Sequence, residues 1–140
     1  MQVLIPRPTL ESFRVLAFQG DNHDDAQGST WMLELQQDIQ LGLAVPNVQG
    51  AGLKLTVKIK LDAQARNERS SASMAVFSGE YEARFHYTSE VSETTATALL
   101  DLDDYQYLLV AQAYPLAMTH FRRELQAMGL DAKNLPLGLN

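Results

Sequence analysis

The stretch Leu53-Lys54-Leu55-Thr56-Val57-Lys58-Ile59-Lys60-Leu61 decides the architecture. Its five apolar residues alternate one for one with Lys54, Thr56, Lys58 and Lys60. Successive side chains of a strand point to opposite faces, so this run is a half-buried strand with one apolar and one wet face. A helix would scatter the same residues around its circumference. The pattern recurs upstream, where Leu33, Leu35, Ile39, Leu41, Leu43 and Val45 share one face and Glu34, Gln36, Asp38 and Gln40 the other. Only Gln37 interrupts that apolar row. Pro46-Asn47 and Gly50-Ala51-Gly52 supply the turn between the two runs. Downstream, a polar connection from Asp62 to Ser73 leads to a third run beginning near Met74. Ala75, Phe77, Tyr81, Phe85 and Tyr87 fall on its apolar face, with Ser78, Glu80, Glu82, Arg84 and His86 opposite. Strands joined by short polar connections pair as an antiparallel sheet, and such sheets commonly leave one face solvated.

Ahead of these runs, residues 13–18 (Phe-Arg-Val-Leu-Ala-Phe) form a shorter strand candidate. It leads into Gly20-Asp21-Asn22-His23-Asp24-Asp25, whose composition is that of a polar loop. After Ser92 the period changes. Asp101, Asp103 and Asp104 precede Tyr105, Leu108, Leu109 and Gln112, which is acidic helix-start chemistry followed by helical spacing. Pro115 disfavours the helical conformation at Tyr114, so a break is expected there. A second helix then carries Phe121, Leu125 and Met128 on one stripe and ends at Gly129. Strands followed by helices indicate an α+β fold. The expected organisation is one domain over 1–140. Its sheet covers about 13–87, helices at about 101–128 pack on one sheet face, and a short extension fills 129–140.

At 140 residues, 46% hydrophobic and 20% charged, the chain suits one globular domain and is short for two. A net charge of −6 argues against a nucleic-acid partner, because neutralising phosphates dominates that affinity. No segment approaches the roughly 20 apolar residues of a membrane helix. The opening MQVLIPRPTL, cut by Pro6 and Pro8, has none of the features of a secretory signal. The absence of cysteine excludes disulfides and thiolate metal sites. The expected compartment is the cytoplasm.

Catalytic chemistry finds little support. His23, His86 and His120 lack metal-motif spacing. A calcium loop starting at Asp21 would need glycine and glutamate where Ala26 and Met32 stand, so a solvated turn is the better reading. Gly50-Ala51-Gly52 is followed by Leu55 in place of a third glycine. Ser78-Gly79 lacks the upstream glycine of a nucleophile elbow. Glu80 and Glu82 read as solubilising charge, and Lys54, Lys58 and Lys60 as the lysines that protect a strand edge. No catalytic residue, metal or cofactor is expected. What remains is apolar surplus: Trp31, Met32, Tyr105, Tyr107, Tyr114, Met118 and Phe121. Aromatics and methionine build adaptable peptide-binding grooves, and self-association or a bound partner would cover the excess.

The segment Ala113-Tyr114-Pro115-Leu116-Ala117-Met118-Thr119-His120-Phe121-Arg122-Arg123-Glu124-Leu125 resembles the helical signature of the SecB family of export chaperones, with Pro115, Phe121, Arg123 and Glu124 matching. Asn134-Leu135-Pro136-Leu137 resembles the family's short segment after this helix. The spacing from Asp38 through Phe85 is similar to that of its second to fourth strands, and Trp31 lies near the place of a tryptophan in its crossover loop. The resemblance implies a four-stranded antiparallel sheet with helices on one face, assembled as a homo-oligomer, a dimer of dimers. It implies ATP-independent binding of unfolded polypeptide clients in apolar grooves, here near Trp31, Met32, Tyr107, Met118 and Phe121. Some members pass precursors to SecA; others protect the antitoxin of a toxin–antitoxin pair. Three departures weigh against SecA: the expected strand break at Gly20, the exposed Lys54, Lys58 and Lys60, and an end at Asn140 short of the exporters' final helix and tail. A general holdase and a dedicated interaction protein, such as an antitoxin-controlling chaperone, are the two readings.

Overall fold

A computed structural model describes residues 5–23, 31–67, 73–132 and 135. Its elements are β1 (Thr9–Asn22), β2 (Trp31–Ala44), β3 (Lys54–Asn67), β4 (Ser73–His86), α1 (Glu93–Leu100) and α2 (Asp103–Ala127). The strands form one antiparallel sheet in the order β1-β4-β3-β2. Successive strands β2, β3 and β4 are neighbours, and β1 lies at the far edge beside β4, which is a Greek-key order.

The alternation fixes which face is covered. On β3, Leu55, Val57, Ile59, Leu61, Ala63 and Ala65 are buried; on β4, Phe77, Tyr81, Ala83 and Phe85 are. Helix α2 packs on β3, β4 and β1. It contributes Tyr114, Met118, Phe121 and Leu125, which recur every three or four residues on one stripe.

Several boundaries differ from expectation. β1 is longer than residues 13–18, because register shifts at Glu11 and Leu16 break its alternation and hide its period. It also runs through Gly20 without breaking. Gly20 pairs with Phe77, and a Cβ there would come within 2.6 Å of Met128 Sδ and 2.8 Å of Phe77 Cδ1. The glycine serves close packing, not a turn. β3 continues through Asp62 to Asn67, since small Ala63 and Ala65 carry the buried row opposite Phe77 and Ala75. Lys54, Lys58 and Lys60 lie mid-sheet on β3, so they protect no edge. They meet acids instead: Lys54 Nζ donates to Glu11 Oε2 at 3.0 Å, and Lys58 and Lys60 pair in register with Glu82 and Glu80.

The helices divide at Leu102, not at Pro115. Leu102 is extended (ψ 125°), while α2 continues unbroken past the proline. Proline removes one hydrogen bond to Ala111, at a cost of about 3 kcal/mol in a helix interior. Burial of Ala113, Tyr114, Ala117 and Met118 around it outweighs that loss. Gly129 terminates α2 as expected. At φ 91° it lets its own N–H reach Gln126 O and the Leu130 N–H reach Leu125 O, and Leu130 packs into the core. Asn22 Nδ2 donates to Met128 O at 2.7 Å, so the strand's polar end caps the helix.

Two polar knots cross the core. Tyr81 lies over Gly79, where a Cβ would stand 2.6 Å from its hydroxyl, and bonds His120 Nδ1 at 2.9 Å. Burial and then the Glu124 charge push the Tyr81 phenol well up, so it stays neutral. Tyr87 and Tyr105 share a 2.8 Å hydroxyl contact, and Tyr105 donates to Pro6 O at 2.7 Å. On the other sheet face Glu82 is buried rather than solubilising, at 6% exposure. Arg14 Nε and Arg84 Nε donate to its Oε1 at 3.0 and 2.7 Å. Burial opposes its charge, but these bonds prevail and hold its carboxyl below the usual range.

Two predictions follow from this packing. Gly79→Ala forces the Tyr81 ring off His120 and lowers stability by about 1–3 kcal/mol in urea unfolding. For Glu82, a folded-state carboxyl held low adds stability above the ordinary carboxylate pKa of about 4.3, and that stability is lost as pH falls through the folded value. Glu82→Gln therefore costs about 1–2 kcal/mol at pH 7, discounted because both arginines are half exposed. The gap to the unmodified protein closes below about pH 4.

Candidate client-binding surface

The sheet's apolar face is unevenly covered. Leu33, Leu35, Ile39, Leu41 and Leu43 on β2 pair in register with Ala65, Ala63, Ile59, Val57 and Leu55 on β3. The β3 residues are buried, whereas the β2 row stays half-buried. The difference follows from strand order: β2 is an edge strand with a neighbour on one side only, and α2 packs chiefly on β3, β4 and β1. The result is an edge strand of fourteen residues whose apolar side chains pack against the rim of the core and are only partly covered.

Gln37 explains itself here. It pairs with Leu61 in register, and its Oε1 accepts a 2.7 Å hydrogen bond from the Tyr114 hydroxyl. Burial pushes the Tyr114 phenol up, so it remains the protonated donor. The one polar residue in the apolar row thus ties β2 to α2 at mid-strand. A half-buried row divided by one polar tether can bind extended peptide through apolar area while offering a fixed hydrogen-bonding landmark.

The residues expected to line a groove are not gathered in one place. Met32 is 53% exposed and, paired with Arg66, lies on the sheet face away from the helices. Tyr107, in the first half of α2, is 52% exposed. Met118 and Phe121 are fully buried, with Phe121 edge-on to Phe18 at 6.1 Å. They share the helix stripe of Tyr114 and Leu125 that meets the sheet, which is why they are core in this packing. Trp31 opens β2 opposite Asn67, but its side chain lies outside the described residues. Of the signature residues, Pro115 lies half-buried within α2 and Arg123 is exposed. Glu124 Oε1 approaches His120 Nε2 at 3.5 Å, beside the Tyr81 knot. The β2 row itself was visible in the sequence as an apolar face; its incomplete cover was not, since alternation reveals which side is apolar and not where a helix will lie.

No protein-family model matches the sequence, and no curated protein sequence does. Among solved structures, the chain is similar to the Mycobacterium tuberculosis Rv1957 SecB-like chaperone, solved in complex with a ChAD peptide from the Rv1956 HigA1 antitoxin. The identity is 20% and the TM-score 0.63, over 96% of this chain and 90% of that one. A four-stranded antiparallel sheet carrying two C-terminal helices, superimposable over nearly the whole chain, is a SecB-like α+β fold.

Proposed function

We propose that this protein is a SecB-like chaperone that holds nonnative polypeptide without ATP, using the half-covered β2 row beside α2. That row carries the reading: it is apolar from Leu33 to Leu43, and the fold leaves it only partly covered. From Leu33 to Leu43, ten residue steps at about 3.3 Å each offer roughly 33 Å of apolar track, enough for an extended segment of about ten residues. Binding rests on area rather than on sequence, so clients are diverse and individual affinities modest. Trp31 at the head of β2 supplies the aromatic anchor, and the working unit is a homo-oligomer, a dimer of dimers, in the cytoplasm.

The second reading is a dedicated antitoxin chaperone. The neighbouring structure favours it, because that SecB-like chaperone holds an antitoxin peptide. Delivery to SecA has weaker support. The wet sheet face interleaves Arg14, Lys58, Lys60 and Arg84 with Asp38, Glu80 and Glu82 and so lacks a uniform acidic field.

Aggregation assays with several unrelated unfolded proteins discriminate the readings: a holdase protects them all, a dedicated chaperone only its antitoxin. In peptide titrations, Trp31→Ala and Leu35→Ser each weaken client binding by about 1–3 kcal/mol, the loss of one interface anchor, with melting temperature nearly kept. Met118→Ala behaves oppositely and costs about 2–5 kcal/mol of stability as a core truncation. Unchanged client affinity in both folded Trp31→Ala and Leu35→Ser proteins overturns the β2 assignment.

A further inference from the structure

Glu82 lies on the sheet face opposite the core, yet solvent barely reaches it. Cations surround it. Arg14 of β1 and Lys58 of β3 stand opposite it in register, and Arg84 follows two residues later on the same face of β4. Both arginines are half exposed and donate through Nε to the same carboxylate oxygen, Oε1. Nε is the inner nitrogen of a guanidinium, so the two outer amino groups of each arginine are left over. Among the described residues neither arginine makes another hydrogen bond or ion pair, and Lys58 makes none.

One carboxylate does not neutralise three cations. The nearby acids are engaged with other lysines: Glu11 accepts from Lys54 Nζ, and Asp38 and Glu80 flank Lys60 in register. The surplus positive charge is therefore local, on a chain whose net charge is −6. Glu82 also holds both guanidiniums by one edge, which orients their free edges before any ligand arrives. Two pre-oriented planar forks suit an oxyanion, since ordering them costs little on binding.

The surroundings say what carries that anion. A hollow lined by Gln40, Gly42, Ala44, Thr56, Lys58 and Glu82 continues from the cations toward β2. Gly42 leaves it open, for a Cβ there would meet nothing within 4 Å. A bare phosphate would leave this hollow empty. A nucleic acid, with charge at every step, would run onto Glu11, Asp38 and Glu80 on either side. An acidic side chain on a polypeptide suits both features, its charge on the arginines and its neighbours in the hollow. We propose that Arg14, Arg84 and Lys58, with Glu82 as positioning residue, form a recognition site for a side-chain carboxylate of a partner polypeptide. The site lies on the sheet face away from the β2 row, and the inference does not rest on client holding.

The probe is a labelled Gly-Ser-Thr peptide carrying Glu at alternate positions, compared with its Gln counterpart by fluorescence anisotropy. Although the chain as a whole repels acid, the Glu peptide binds at least about tenfold more tightly at low salt. Added salt weakens it. Arg14→Lys and Arg84→Lys keep the charge but lose the fork, and each weakens binding about fivefold. Lys58→Gln, which breaks no bond, and Gly42→Gln, which fills the hollow without changing charge, also weaken it. Leu35→Ser leaves it unchanged, and melting curves confirm that every variant is folded. Equal affinity for the two peptides overturns the proposal, as do folded Lys58→Gln or Arg→Lys variants that bind like wild type, since a diffuse field needs no fork. Unaltered binding by Gly42→Gln, or displacement by inorganic phosphate at the peptide's own concentration, assigns the site to a bare oxyanion and overturns it too. So does loss of binding in Leu35→Ser, because the peptide is then held as a client.

Discussion

The apolar rows of β3 and β4 beneath α2 govern everything else in the molecule. Leu55, Val57, Ile59, Leu61, Phe77 and Phe85 are all within 2% of complete burial, as are Met118, Phe121 and Leu125 above them. Each side chain of this size contributes about 1.5–3 kcal/mol when removed from water. Register is therefore not negotiable in the two central strands. A slip of one residue would turn Lys54, Lys58 and Lys60 into the core and expose the leucines. The wet face reinforces the same choice, because the correct register aligns Asp38, Lys60 and Glu80 across three strands.

The sequence carries this central layer openly because strict alternation depends only on side-chain direction. Its failures are equally physical. Gly20 is chemically a turn residue, and only the approach of Phe77 and Met128 reveals that the missing Cβ is needed for packing. Pro115 carries a local preference against helix that tertiary burial overrides. The β3 lysines look like edge protection until strand order places them inside the sheet, and strand order is invisible to periodicity. Met118 and Phe121 share both composition and spacing with a groove, yet the same spacing with Tyr114 and Leu125 makes a core stripe. Which apolar residues of a helix meet the sheet is decided by packing, not by any one residue.

Polar contacts do a different job from the apolar core: they tie segments that are distant in the chain. Tyr81 to His120, Tyr105 to Pro6, Asn22 to Met128 and Tyr114 to Gln37 join strands or the N-terminal arm to the helices. Apolar contact alone tolerates sliding, whereas a buried hydroxyl without its partner is costly, so each bond fixes one position along α2. Together they fix the helix in place against the sheet. That placement, and not the composition of β2, determines which row remains open.

An open apolar row is a liability unless the rest of the fold is stable without it. Here the central strands and α2 supply the fully buried core, and the β2 row packs only against its rim, held by the ladder with β3 and the Gln37 tether. A substitution in the β2 row therefore removes binding surface from a partly hydrated site, while one in the α2 stripe opens a cavity in close packing, which costs considerably more.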